Sequence, residues 1–163
     1  MTLVQRRGGG VIVLSLVIAL MLAIIPLPGW AEGVRPEWAL LVLIYWCLAV
    51  PSRVGVGFSW LVGLGVDVLT GSLLGEHGLG YALVAFLVVK LHQRIRVYPE
   101  WQQAGVVLLL LLLNQLTCLW VLGITGRAPD GMLFYLLPSV VGMLLWPLLF
   151  GLLRSFRHRF SIT

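Results

Sequence analysis

Asp67 is an ionisable side chain deep inside a long apolar stretch of the sequence, residues 55–75. It lies about seven residues, or roughly 10 Å at helical rise, before the polar turn formed by residues 75–78. A carboxylate at such a depth is costly unless it is paired, hydrated or protonated. It can serve as a proton or ion site, lock two helices together as a polar pair, or contact the transmembrane helix of a partner. The simplest alternative is a hydrogen bond to nearby backbone where the helix loosens at Gly71 and Ser72.

We favour structural pairing for Asp67, because a transporter usually carries more than one buried ionisable group. Asn114 and Gln115, midway along a later apolar segment, are candidate hydrogen-bond partners at a similar depth. If Asp67 acts through such pairing, Asp67→Asn is expected to be tolerated better than Asp67→Leu.

Small residues follow Asp67 in the pattern Asp67-x3-Gly71-Ser72-x2-Gly75, and Ser59-x3-Gly63 precedes it. Small residues four apart let two helix backbones approach closely. The pattern therefore predicts either close packing within the chain or a contact with a separate subunit.

A short polar connection, residues 32–38, carries Arg35 and Pro36 between two acidic residues. Arg35 could dock a partner outside the membrane. The alternative is a hydrated turn in which Pro36 and Glu37 occupy the first helical turn, where a negative charge complements the helix dipole.

Enzymatic, metal and nucleic-acid functions find no support in the sequence. It contains no G-x-S-x-G, H-E-x-x-H or P-loop motif. His77 and His92 have no neighbouring ligands at metal spacing, and Cys47 and Cys118 fall inside apolar segments as small core residues. The net charge is +5, but no basic stripe interleaved with aromatic residues is present. We therefore predict no catalytic activity, cofactor, metal or nucleic-acid partner.

The elements that position these residues are membrane helices. The chain is 60% hydrophobic and 10% charged, with a mean hydropathy of +1.04, which predicts a single integral membrane domain over residues 1–163. Six apolar segments can be marked, at about 10–27, 37–50, 55–74, 79–91, 102–123 and 132–153. They predict an all-α protein, a compact bundle of six transmembrane helices. The second and fourth segments are short, so they either thin the bilayer, extend through flanking residues, or pack as internal helices.

Lysine and arginine residues indicate the orientation of these segments. With alternating segments, nine of them fall on one side and only two, Arg35 and Arg127, on the other, which predicts that both termini are cytoplasmic. The predicted cytoplasmic basic anchors, which would contact anionic lipids, are Arg6, Arg7, Arg53, Lys90, Arg94, Arg96, Arg154, Arg157 and Arg159.

The sequence resembles the MreD family of bacterial rod shape-determining proteins over essentially its whole length. The resemblance rests on Arg35-Pro36, Tyr45-Trp46, the stretch from Ala49 to Gly57, the pattern around Asp67, and Trp101-Gln102-Gln103-Ala104. It implies a non-catalytic part of the cell-elongation (Rod) complex that associates with MreC. With MreC it would link the MreB cytoskeleton, directly or indirectly, to peptidoglycan synthesis by RodA and a class B penicillin-binding protein. The family is also similar to the substrate-binding S components of energy-coupling-factor transporters, which are compact six-helix proteins.

Two functions therefore remain open. The first is a scaffold whose helices and outer connections bind MreC, with Asp67, Gly71, Ser72, Gly75, Arg35 and Pro36 as candidate contact or packing residues. The second is a small-molecule or lipid-binding membrane protein of the S-component type, which needs a polar cavity opening outward beneath Glu76 and His77.

Overall fold

The structure is a computed structural model that describes residues 8–127 and 130–160. These residues form seven helices, namely α1 (Gly9–Ile24), α2 (Gly29–Glu32), α3 (Trp38–Ala49), α4 (Val56–Thr70), α5 (Glu76–Val97), α6 (Glu100–Ile124) and α7 (Met132–Arg159). The predicted all-α class is confirmed, and each of the six apolar segments contains a helix, while α2 is one turn in a connection. The predicted anchors Arg6 and Arg7 lie outside the described residues.

Two helix boundaries differ from the prediction. Helix α4 ends at Thr70, because Gly71 adopts a φ of +68° that leaves the helical conformation. Helix α5 begins at Glu76 and continues to Val97, so the fourth apolar segment belongs to a helix of 22 residues. Of the alternatives for the short fourth segment, the structure shows extension through flanking residues, because the residues before Leu79 and the polar residues after Val89 continue the helix.

Helix α3 forms the centre of the structure. All of its residues from Ala39 to Ala49 are buried, and it packs against α1, α5 and α7. Helix α3 has twelve residues and is therefore about 18 Å long. The Trp46 indole, fully buried, donates a hydrogen bond of 2.8 Å to the hydroxyl of Ser15 on α1. Of the alternatives for the short second segment, the structure therefore shows the internal helix.

The remaining helices pack in chain order around α3, with α4 against α5, α5 against α6, and α6 against α7. Helices α4 and α5 approach closely at Gly63, where a Cβ atom would lie 2.6 Å from the Cα atom of Gly78. At Gly80 on α5, a Cβ atom would overlap the side chain of Asn114 on α6. These two glycines therefore allow the close approach of neighbouring helices.

By length and composition, α6 and α7 can each cross a membrane, whereas α1, α3 and α4 are shorter apolar helices. The outer faces of the bundle expose large apolar side chains, among them Leu61, Leu109 and Leu144. Such a surface is typical of a protein embedded in lipid.

Basic and acidic side chains collect at opposite ends of α3. At its last turn, Arg96 donates hydrogen bonds of 2.6 and 2.7 Å to the carbonyls of Leu48 and Ala49. Cations favour this end because helix carbonyls carry partial negative charge there. Glu37, immediately before α3, lies with His77 at the other end. The candidate site is at this acidic end.

Candidate functional site

Asp67 lies in the last turn of α4, beside the connection to α5, and it is 1% exposed. Its Oδ1 atom accepts hydrogen bonds from the Ser72 hydroxyl and the His77 backbone N–H, both at 2.9 Å. Its Oδ2 atom accepts one from the backbone N–H of Gly75 at 2.9 Å and a longer one from Gly78 at 3.4 Å. The carboxylate therefore receives donors from the whole connection between the two helices.

These donors make Asp67 the N-terminal cap of α5. The first N–H groups of a helix have no partner within the helix, and an acidic oxygen satisfies them while complementing the helix dipole. The residue just before α5 is Gly75, which has no side chain with which to cap the helix. Of the sequence-based alternatives, hydrogen bonding to nearby backbone describes the geometry best, and the donors come from the next helix.

Asn114 and Gln115, the candidate partners of Asp67, do not hydrogen-bond to it in the structure. Asn114 is buried, and its side-chain oxygen and nitrogen have no hydrogen-bond partner among the described residues. Gln115 binds the backbone carbonyl of Tyr135 at 2.8 Å and the Ser139 hydroxyl on α7. Both amides lie in helix α6, where they pack against α5 and α7, away from the end of α4.

His77 joins this carboxylate to a second one. Its Nδ1 atom lies 2.7 Å from Asp67 Oδ1, and its Nε2 atom lies 3.6 Å from Glu37 Oε1. Glu37 also accepts a hydrogen bond of 2.9 Å from the Tyr81 hydroxyl. His77 is therefore part of a group of interacting side chains, which its position in the sequence did not indicate. We call Glu37, Asp67, His77 and Tyr81 the polar cluster, and it connects the ends of α3, α4 and α5.

The two carboxylates favour the charged form of the imidazole. His77 lies in the first turn of α5, at the end of the bundle and before the apolar segment 79–91 begins. Burial lowers the pKa of His77, but Glu37 and Asp67 together raise it further, to about 9. The polar cluster can thus hold a proton on His77 at neutral pH, between two carboxylates.

Gly71 and Gly75 occupy the two ends of the connection. Gly71 follows the last residue of α4 with a φ of +68°, and Gly75 precedes α5 with a φ of +99°. Only glycine adopts these angles without strain. The two residues do not share a helix face, so their interpretation as a helix-packing pair was wrong. The earlier pair, Ser59 and Gly63, is buried, and Gly63 makes the close contact with α5.

Arg35 and Pro36 lie next to the polar cluster. The Arg35 guanidinium donates hydrogen bonds to the carbonyls of Ala23 and Ile25, at the end of α1. Arg35 therefore joins the connection before α3 to the end of α1. Beside it is a pocket of about 120 Å³, lined in part by Arg35, Glu37 and His77.

His77 of the polar cluster also lies beside two further side chains of types that bind metal ions, Glu76 and Cys118. The ligand atoms of Glu76, His77 and Cys118 all lie within 4.8 Å of one another. Cys118 also donates to the Glu76 carbonyl at 3.7 Å. Cysteine, histidine and carboxylate are zinc ligands, and Asp67 already engages one nitrogen of His77. The group could offer three ligands, a possibility that the spacing in sequence did not indicate.

Sequence reasoning did not place Glu37 and Tyr81 in the site, and it named His77 only beside the cavity required by the S-component alternative. One signal was available, because alternating segments place the connections containing Glu37 and His77 on the same side. His77 and Tyr81 are also four residues apart, so they share a helix face. Neither signal indicates that the two connections touch.

The chain matches a known protein family over most of its length. The family model for the rod shape-determining protein MreD matches residues 5–156. A rod shape-determining protein MreD from Haemophilus influenzae is 32% identical over 150 residues, which cover 90% of this chain and 90% of the relative. No solved structure matches the chain.

Proposed function

This chain belongs to the MreD family of rod shape-determining proteins, and from this premise we propose that it is a non-catalytic membrane scaffold of the Rod complex. It binds MreC and helps to couple the MreB cytoskeleton to peptidoglycan synthesis by RodA and a class B penicillin-binding protein. The observation that carries the proposal is that the polar cluster is engaged in joining α3, α4 and α5. A site whose polar groups hold helices together supports a positional role.

We further propose six crossings of the bacterial inner membrane, formed by α1 and α3–α7, with cytoplasmic termini and with α3 as a short helix enclosed by the others. Support comes from the two long apolar helices and from the separation of basic and acidic side chains along α3. The basic end then faces the cytoplasm, and the polar cluster faces outward. The whole chain acts as one integral membrane domain, and its helix bundle is of the S-component type.

The exposed face of α4, on the outside of the helix bundle, is the surface that we assign to the transmembrane helix of MreC. Gly57 and Gly65 lie on this face, and a Cβ atom at either position would meet no heavy atom within 4 Å. Between and beyond them, Leu61 and Val68 are 61% and 70% exposed. Residues spaced by three or four lie on one side of a helix, so the glycines form shallow gaps between exposed apolar side chains. A partner helix can approach closely at such gaps.

The outer connections provide a second contact, with the periplasmic part of MreC. Arg35, Pro36, Ser72 and the two glycines of the connection between α4 and α5 surround the polar cluster at this end of the bundle. Asp67 is buried, so its role is to position this surface and not to touch the partner.

Co-purification with MreC from native membranes tests the surface on α4. Gly57→Leu and Gly65→Leu should each reduce the MreC that co-purifies, because leucine fills the gap that admits the partner helix. The matched controls are Gly105→Leu on α6 and Gly151→Leu on α7, which also project into open space. Equal recovery of MreC with all four variants would remove the α4 face from the proposal.

The S-component alternative has one supporting observation, the pocket of about 120 Å³ beside Arg35 and His77. Pockets for small ligands usually measure about 300–1,000 Å³, so this one is small for a vitamin. Native mass spectrometry of the purified protein distinguishes the two functions. A stoichiometric bound metabolite that is lost in Arg35→Ala would support the alternative, and its repeated absence would support the scaffold.

A further inference from the structure

A second pocket, of about 340 Å³, lies at the opposite, basic end of the bundle. It is bounded by the last turns of α3, α5 and α7 and by the first turn of α6. We call it the basic pocket, and the lining residues that matter here are Tyr45, Arg96, Gln103, Phe150, Arg154 and Arg157.

The charged side chains that line the basic pocket are all positive. Three arginines and His158 line it, and its lining contains no acidic residue. The arginines come from two helices, since Arg96 is on α5 and the other two are on α7. Guanidinium groups bind phosphate oxygens in a fixed, often bidentate geometry. The pocket is therefore complementary to a phosphate group.

Two of these arginines are held in place by the fold. Arg96 donates through Nε and one terminal nitrogen to the two carbonyls at the end of α3. Arg157 lies close to the hydroxyl of Tyr45 and interacts with it electrostatically, and the Tyr45 ring packs edge-on against Phe150 with the ring centroids 5.5 Å apart. Such preorganisation lowers the entropy cost of binding a ligand.

Gln103 adds a hydrogen-bond acceptor to the pocket. Its side chain is 3% exposed, and its Nε2 atom donates to the Ile95 carbonyl at 3.0 Å. Its Oε1 atom is buried and has no hydrogen-bond partner among residues 8–127 and 130–160. A buried acceptor without a partner is costly, so a ligand that brings a hydroxyl donor beside its phosphate would satisfy it.

We propose that the basic pocket binds the phosphate headgroup of an anionic phospholipid, with phosphatidylglycerol as the type that fits its groups. The arginines receive the phosphate, the headgroup hydroxyl donates to Gln103, and the rings of Tyr45 and Phe150 contact the glycerol backbone. The pocket lies at the end of the bundle that is predicted to face the cytoplasmic leaflet. This inference goes beyond the scaffold function and does not depend on it.

Binding in such a pocket differs from a general electrostatic attraction between a basic tail and a membrane. Arg159 carries the same charge as Arg154, lies five residues further along α7, and is exposed without lining the pocket. A diffuse electrostatic anchor depends on both residues equally, whereas a headgroup pocket depends on Arg154 alone. The chain thus offers a matched pair of charge variants.

The test is native mass spectrometry of the full chain in neutral detergent, titrated with phosphatidylglycerol. One lipid per chain should remain bound. Arg154→Gln and Arg157→Gln should each weaken this binding about tenfold, because each removes a charge-assisted hydrogen bond to phosphate. Arg159→Gln should leave it unchanged, and thermal unfolding should show that all three variants are folded.

Two further ligands separate the parts of the proposal. Phosphatidylmethanol has the same charge and no headgroup hydroxyl, so it should bind about fivefold more weakly, through loss of the hydrogen bond to Gln103. Inorganic phosphate should not displace the lipid at millimolar concentration. Displacement by inorganic phosphate would assign the pocket to a soluble phosphate compound and overturn the lipid headgroup. Equal weakening by Arg154→Gln and Arg159→Gln, or no retained lipid on the wild-type chain, would overturn the pocket itself.

Discussion

Replacement of Asp67 should destabilise the protein in proportion to the hydrogen bonds that the new side chain cannot make. In Asp67→Leu the backbone N–H groups of Gly75 and His77 lose their acceptor in a buried place. Each such loss costs about 1–3 kcal/mol, and the bond from Ser72 is lost as well. We therefore expect the free energy of unfolding to fall by about 3–6 kcal/mol.

Asp67→Asn should cost less. The amide oxygen can still accept from Ser72 and from the His77 backbone N–H, but the amide NH₂ then faces the N–H of Gly75. Two donors face each other there, and the charge that complements the start of α5 is absent. One lost charged hydrogen bond corresponds to about 1.5–3 kcal/mol.

The measurement is unfolding of the purified protein by SDS in mixed dodecylmaltoside micelles, followed by circular dichroism. Asp130→Leu is the control, because Asp130 is exposed in the connection before α7 and its replacement removes the same charge. In cells that depend on the variant, Asp67→Asn should preserve rod shape better than Asp67→Leu at matched protein levels. Equal unfolding free energies for Asp67→Leu and Asp130→Leu would refute the capping role. Complete loss of rod shape in Asp67→Asn, with normal stability, would show that the charge itself is required.

Three other predictions follow from the packing and charges of the helices. Gly63→Ala should lower the free energy of unfolding by about 1–3 kcal/mol, because the new methyl group overlaps the backbone of α5. Gly65→Ala on the same helix should raise it by about 0.5–1 kcal/mol, because alanine favours the helix and meets no neighbour there. A change of equal sign and size in the two variants would contradict the close contact between Gly63 and Gly78. The pKa of His77 is raised from 6.5 to about 9 in the folded protein, so the stability that protonated His77 contributes is complete below pH 6.5 and is lost as the pH rises through 9. The melting temperature should therefore fall across this range. A fall of the same size in His77→Gln would show that the titrating group is not His77. Arg96→Ala should lower the free energy of unfolding by about 1–3 kcal/mol, because it leaves the carbonyls at the end of α3 without their donors. Arg94→Ala removes an exposed arginine two residues earlier on the same helix and should have little effect, so similar melting temperatures for the two variants would argue against the contact.

The helices could be predicted from the sequence because hydropathy records which stretches avoid water. The six apolar segments each contain a helix, and the basic residues Arg96, Arg154 and Arg157 do lie together at one end. Hydropathy says little about where a helix ends inside an apolar stretch. Helix α4 ends at Gly71 through a backbone angle, although apolar residues continue to Leu74, and this placed Asp67 near the end of a helix instead of deep within it.

The polar cluster could not be predicted, because its contacts join residues that are distant in the sequence. Glu37 and His77 are forty positions apart, and their distance depends on how α3 packs against α5. Asn114 was expected to pair with Asp67 because both appear mid-segment, but depth along a helix does not indicate which face a side chain occupies. The partner of a buried polar group is therefore decided by helix rotation and packing, which a single sequence does not record.

The complete enclosure of α3 has a consequence for the order in which the protein is assembled during synthesis. Helices α5 and α7, which cover α3, are translated after it, so α3 first meets lipid on the sides that they later occupy. Its uniformly apolar surface suits that temporary exposure, and the Trp46–Ser15 hydrogen bond can form as soon as α1 and α3 are both inserted. The pair α1–α3 is thus an early template on which the later helices close, and a polar substitution on α3 should act first on insertion by the translocon, before any finished contact exists to be lost.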